Sequence, residues 1–205
     1  MSRKPNTLAL LTALSMAAAS CGDTSLGRAP GTVRIDELVA SSGAGSLAFG
    51  GYLHSDVLTN VTVQGVTTPT VYNDVGRVTF SLVLKDPGAP GITNVPSDQN
   101  TVQMTHYRVV YRRTDGRNVQ GVDVPYAFDS GMTILVPANG SGQNTFDIVR
   151  VSAKKEAPLA ALAVNGQTLD VIADVTFYGH DMHNNAIAVT GSVGVTFANF
   201  GDPSS

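Results

Sequence analysis

Tryptophan is absent from this chain and cysteine occurs once, at Cys21. A lone thiol excludes an intrachain disulfide framework, so packing must hold whatever folds here. Without tryptophan, a sugar-stacking platform would have to be built from Tyr52, Tyr72 and Tyr126. Basic charge is also in deficit: 13 Lys and Arg face 16 Asp and Glu, a formal balance of −3. That balance argues against nucleic acid as a partner and against adhesion to anionic lipid by charge. No G-x-S-x-G elbow is present; Gly191-Ser192-Val193-Gly194 has the wrong spacing and reads as strand. Gly43-Ala44-Gly45 is followed by no βαβ unit and reads as a turn, not a phosphate cradle. With no nucleophile assembled, the sequence reads as non-enzymatic.

What is present begins with an export signal. Arg3 and Lys4 form a basic start, and Thr7 to Ala19 form an apolar stretch short of the ~20 residues a membrane helix needs. Ala18-Ala19-Ser20 then places small side chains directly before Cys21. Residues 1–20 are therefore expected to be a cleaved signal peptide.

Ala18-Ala19-Ser20-Cys21 resembles the lipobox of bacterial lipoproteins, with Ala18 where leucine is usual. The resemblance implies that Cys21 is diacylated on sulfur and becomes the new N-terminus, a stable anchor because two or more chains hold where one holds marginally. An ordinary signal peptide followed by a free cysteine is the alternative, but it leaves an exposed odd thiol in an oxidising compartment. Gly22 stands where, by resemblance to enterobacterial lipoproteins, aspartate retains the protein in the inner membrane. An outer-membrane address follows if the organism has one.

The segment Cys21 to Gly31 is polar, carries glycine and proline, and reads as the lipidated residue with a flexible tether. One domain is expected over 32–201, ample for a single core, with a tail at 202–205. Its dominant pattern is period two. Val78, Phe80, Leu82 and Leu84 alternate with Thr79, Ser81, Val83 and Lys85. Leu169, Val171, Ala173, Val175 and Phe177 share one parity, as do Ile187, Val189, Val193, Val195 and Phe197. Alternation of this kind puts one side-chain set on a core and the other toward solvent. Further strands are expected at Val33 to Val39, Ser46 to Leu53, Val57 to Gln64, Met132 to Val136 and Phe146 to Val151.

Between Thr101 and Arg113 the parity breaks. Val102 and Met104 lie on one parity, Tyr107, Val109 and Tyr111 on the other, so a bulge near His106 is predicted. Asp86-Pro87-Gly88, Ala89-Pro90-Gly91, Asp115-Gly116, Asn139-Gly140 and Asn165-Gly166 mark turns. Only Ala153 to Val164 suggests helix, interrupted by Pro158, so at most one short helical segment is expected. The fold class that follows is all-β, an antiparallel sandwich.

Tyr107 to Tyr111 with Asp115-Gly116 resembles the third strand and turn of fibronectin type III and related immunoglobulin-like domains. Val171 to Phe177, the polar loop Gly179 to Asn185 and Ile187 to Phe197 resemble their closing hairpin. The resemblance implies an immunoglobulin-like β-sandwich. The chain departs from the pattern in lacking the core tryptophan and in exceeding the ~100 residues of one such module. No functional residue is carried over.

Two constellations carry candidate chemistry. His180, Asp181, Met182 and His183 place two imidazoles, a carboxylate and a thioether in four positions, a donor set suited to copper or zinc. His54 or His106 could complete such a site, and Asp181 with Asn185 could serve a calcium loop. The alternative is a polar hairpin tip organised by Asp181 and the asparagines. The second constellation is Arg108, Arg112, Arg113 and Arg117 beside Tyr107 and Tyr111. Tyr107, Arg108, Tyr111 and Arg112 would make an interaction surface for a protein partner or an anion, or else a solvated, charge-protected sheet face.

The leading expectation is a non-enzymatic lipoprotein of the cell envelope, facing periplasm or surface. It would be bound to a membrane through lipid at Cys21 and act as a structural or interaction module toward another envelope protein, with no cofactor. The runner-up is a metal-handling envelope protein using the His180–His183 loop.

Overall fold

The computed structural model describes residues 27–45 and 48–201. The expected signal peptide, Cys21 and the tail at 202–205 lie outside the described residues, as do Ser46 and Leu47 of the strand expected from Ser46 to Leu53. The strands are β1 (Gly31–Ser41), β2 (Tyr52–Asp56), β3 (Thr59–Val63), β4 (Val66–Thr70), β5 (Asp74–Leu84), β6 (Gly88–Ala89) and β7 (Ile92–Thr93). They continue with β8 (Val102–Arg112), β9 (Phe128–Val136), β10 (Ser141–Val149), β11 (Leu169–Asp181) and β12 (Ala186–Ala198).

The two strands with the cleanest alternation pair without a slip. β11 and β12 run antiparallel from Leu169 opposite Phe197 to His180 opposite Ala186. On β11 the odd positions Leu169, Val171, Ala173, Val175 and Phe177 are buried, and on β12 so are Ile187, Val193, Val195 and Phe197. A one-residue slip would turn every one of these outward, which is why the register is strongly specified. Gly191 interrupts the inward row of β12 because a Cβ there would lie 2.7 Å from Leu38 and 2.9 Å from Ile35 of β1. The facing sheet comes that close.

β11 also pairs antiparallel with β8, β8 with β9, and β12 pairs in parallel with β2, giving a five-stranded sheet of order β2-β12-β11-β8-β9. The second sheet is β1-β5-β10, antiparallel throughout. Its three strands are contributed from before and after β8, while the closing hairpin β11–β12 lies beside β8 in the other sheet. This is an all-β sandwich of two facing sheets. The chain exceeds a minimal module through two excursions, the β3–β4 hairpin and the two-residue pairing β6–β7.

The predicted bulge in β8 is present. Register shifts fall between Met104 and His106 against β9, and between Tyr178 and Gly179 against β11. The extra residue lets Val102 and Met104 point inward together with Tyr107, Val109 and Tyr111, all of them buried. In place of tryptophan, the centre of the sandwich is filled by edge-to-face rings. Phe80 meets Phe177 at 5.1 Å between centroids, Phe146 meets Phe177 at 5.3 Å, and Tyr107 meets Phe146 at 5.0 Å.

The segment expected to hold helix forms two short ones, α1 (Val151–Lys154) and α2 (Leu159–Asn165), separated at Pro158, which follows a cis peptide bond. Leu159 and Leu162 of α2 are buried, and Gly166 ends it in the left-handed conformation at φ 65°. The body takes hold of the chain before β1: Ala29 is buried, Lys85 Nζ donates to the Gly27 carbonyl at 2.8 Å, and the Lys85 N–H donates to Pro30 at 3.0 Å. No helix among the described residues is long and apolar enough to cross a membrane.

Candidate functional site

The β11–β12 connection carries the first constellation, and Asp181 organises it. Its Oδ1 accepts the backbone N–H groups of His183 and Asn185, both at 2.9 Å, and its Oδ2 accepts Asn185 Nδ2 at 2.8 Å. The Asp181 N–H donates to the Asn185 carbonyl, and Asn184 takes the left-handed conformation at φ 60°. Burial pushes the Asp181 carboxyl up, but the donors from Asn185 and His183 outweigh it and hold it below the ordinary carboxylate range. Both carboxylate oxygens are thus engaged in shaping the tip, as the polar-hairpin alternative requires.

The other candidate ligands diverge. Met182 is 65% exposed. His180 Nδ1 sits 3.2 Å from the carbonyl of Asp181. His106 stacks on Tyr178 at 4.7 Å with the rings nearly parallel, and His54 lies edge-on to Phe200 at 5.6 Å. Among the described residues, no three His, Cys, Asp or Glu side chains gather into a group that could hold a metal ion.

The second constellation is split by the pleat. Tyr107 and Tyr111 are buried, and their hydroxyls donate to the Asp147 and Ile148 carbonyls at 3.1 and 2.6 Å, tying β8 to β10 across the core. Burial, then the nearby Asp74 carboxylate, push the Tyr111 hydroxyl far above its ordinary value. Neither tyrosine belongs to a surface, which corrects the expectation that all four residues form one; strand alternation puts them opposite their arginine neighbours.

Arg108 and Arg112 do face outward, each with an acid: Arg108 Nη1 is 2.7 Å from Asp129 and Arg112 Nε is 2.6 Å from Asp174. Arg113 and Arg117 share Asp115 at 2.6 and 2.9 Å. Arg108 and Arg112 therefore lace the outer face of β8, and the turn beyond it holds two arginines on one acid, so each of the four has a carboxylate partner.

A third cluster went unread in the sequence. Asp74 opens β5 and Lys154 closes α1; both side chains are 0% exposed, and Lys154 Nζ lies 2.9 Å from Asp74 Oδ1. Nζ also donates to the backbone carbonyl of Asp56 at 2.8 Å. Ser55 Oγ donates to Asp74 Oδ2 at 2.6 Å and the Gly43 N–H donates to Oδ1 at 3.1 Å. Gly43 must be glycine to come this close, since a Cβ there would lie 1.9 Å from the Asn73 carbonyl oxygen. Asp56 anchors the surrounding turn, accepting Thr59 Oγ1 at 2.7 Å and the Phe200 N–H at 3.1 Å.

Burial drives both members of the pair toward their uncharged forms. Desolvation pushes the Asp74 carboxyl up, against the pull of Lys154, Ser55 and Gly43. It pushes the Lys154 amine down, against Asp74. An open hollow of about 200 Å³, lined by Ser42, Ala44, Gly45, His54, Asp56, Phe200 and Gly201, borders the cluster on the Asp56 side.

One sequence signal could have exposed it: Asp74 shares the parity of Val78 and Phe80, so continuing their alternation backward through Gly76 puts a carboxylate on the core face. No protein-family profile, no curated protein and no solved structure matches this chain.

Proposed function

We propose that this chain is an exported lipoprotein, held to a membrane of the cell envelope by acyl chains on Cys21, whose β-sandwich serves as a non-enzymatic structural or protein-interaction module. The observation that carries the reading is the order Arg3-Lys4, an apolar stretch to Ala19, then Ala18-Ala19-Ser20-Cys21 immediately ahead of a β body. The body already grips the chain at Gly27. Only Gly22-Asp23-Thr24-Ser25-Leu26 then separates the lipid from the sandwich, so the body sits against the membrane surface. Gly22 favours the outer membrane in a diderm cell.

The test is detergent phase partitioning of the full-length chain expressed in a bacterium, with mass spectrometry of the mature N-terminal peptide. The expected result is a peptide beginning at acylated Cys21 in the detergent phase, and transfer of Cys21→Ser to the aqueous phase. An unmodified peptide with residues 1–20 retained, recovered from cytosol, overturns the reading.

A further inference from the structure

We propose that Lys154 and Asp74 become joined by an intramolecular amide bond between Nζ and Cγ, formed with the release of one water. The two side chains meet fully out of solvent, with Nζ 2.9 Å from Oδ1. Since a carboxyl C–O bond is about 1.2 Å long, Nζ lies within about 4 Å of Cγ. That is close to the roughly 3–3.5 Å of a reacting pair held for attack. The Asp56 carbonyl, 2.8 Å from Nζ, is a second acceptor that holds the amine in place.

The two carboxyl oxygens are held differently, and the difference suits condensation. Oδ1 accepts the Gly43 N–H, a fixed donor placed where negative charge gathers as Cγ becomes tetrahedral. Oδ2 accepts the Ser55 hydroxyl. Nitrogen attacks Cγ with its lone pair and the Cγ–Oδ2 bond breaks. Oδ2 leaves with the carboxyl proton and one proton from Nζ as water. Acid and amine are consumed one for one, and nothing is oxidised or reduced.

Reactivity and energetics agree. The species that condense are the neutral acid and the neutral amine, and burial favours both. Two opposite charges in a dry interior carry a desolvation cost that their attraction offsets only in part. A neutral amide removes both charges and keeps its oxygen beside the Gly43 donor. The hollow bordering Asp56 gives the released water a place to go. The product ties the central strand of the three-stranded sheet to α1 across 80 positions of sequence, a staple that a single cysteine cannot supply.

The test is a tryptic peptide map of the purified full-length chain. Cleavage after Arg34 and Arg77 liberates Asp74 in the peptide Ile35 to Arg77, and cleavage after Arg150 and Lys155 liberates Lys154 in Val151 to Lys155. The expected result is one covalent species containing both peptides, lighter than their sum by one water, with no cleavage after Lys154. In Lys154→Met the Asp74 peptide returns alone at its unmodified mass. Should that variant fail to fold, the wild-type map still decides. Recovery of the two wild-type peptides separately, unmodified and with cleavage after Lys154, means an ordinary ion pair and overturns the proposal.

Discussion

Asp74 and Asp181 are both shielded from solvent, at 0% and 3% exposure, and each carboxylate accepts three or more hydrogen bonds. Their acidities nevertheless move in opposite directions, up for Asp74 and down for Asp181. Donor number does not separate them. Asp74 lies in the body of the sandwich, where desolvation outruns even an ammonium at 2.9 Å. Asp181 lies at the rim, where burial also pushes the carboxyl up but the Asn185 side chain and the N–H groups of Asn185 and His183 together outweigh it. One site is therefore arranged to lose charge and the other to keep it, and the first belongs to folding or covalent chemistry while the second shapes a loop.

The comparison is most sharply tested by removing one partner at each place. Lys154→Met is expected to lower the unfolding free energy by about 3–5 kcal/mol, because it leaves the Asp74 carboxyl buried without the nitrogen that the wild type holds against it or bonds to it. Adding Asp74→Leu should recover part of that loss, since an apolar pair leaves no orphan. Guanidinium denaturation of the single and double variants checks both. A single variant as stable as wild type would place Asp74 in contact with water and dissolve the contrast.

At the rim, Asp181→Ala removes the acceptor for three donors and is expected to cost about 1–3 kcal/mol, less than the loss at Lys154. The pH dependence gives the sign. A carboxyl held below its ordinary value contributes stability that is present above the unfolded value of about 3.9 and lost as pH falls through the folded one. The stability advantage of wild type over Asp181→Asn should thus shrink in acid. Protection of the His183 and Asn185 amides against exchange, relative to the intrinsic rate at each pH, should fall over the same range. An advantage that grows in acid would reverse the assignment.

These two sites also mark how far the sequence could be read. Strand alternation located β11, β12 and the inward face of β5, because a half-buried sheet writes its two faces directly into residue parity. The bulge in β8 was legible for the same reason: Met104 and Tyr107 cannot both face inward without one extra residue. The His180–His183 loop was located as a hairpin connection, but whether Asp181 faced a ligand or its own turn depended on geometry a few ångströms wide. The pairing of Asp74 with Lys154 was hidden. It joins a strand start to a helix end 80 positions away, and no local pattern encodes a contact closed by a helix packing back on a strand so distant in sequence. Parity alone hinted at the inward carboxylate, while Tyr107 and Tyr111 were misassigned to the surface by their proximity in sequence to arginines.

A smaller effect is expected at Tyr111→Phe. It deletes a hydroxyl that donates to the buried Ile148 carbonyl at 2.6 Å and is expected to cost about 1 kcal/mol, because ring packing survives and one hydrogen bond is lost. Tyr107→Phe provides the matched case with a longer bond of 3.1 Å to Asp147. Denaturant midpoints should rank Tyr111→Phe below Tyr107→Phe, and both above Lys154→Met. A larger loss at Tyr107 would mean that the length of the hydrogen bond does not rank the two hydroxyls.

The smallest effect belongs to Arg108, whose ion pair with Asp129 at 2.7 Å is as short as the contacts around Asp74. Here both partners are about half exposed, with side-chain accessibilities of 45% and 56%. Water screens the attraction, and two long side chains lose freedom to make it. Arg108→Ala should leave the denaturant midpoint within the scatter of repeat measurements, at low and at high salt alike. Distance on its own would rank this pair with Lys154 and Asp74, so a midpoint shift approaching that of Lys154→Met would show that proximity, and not depth, governs charge in this sandwich.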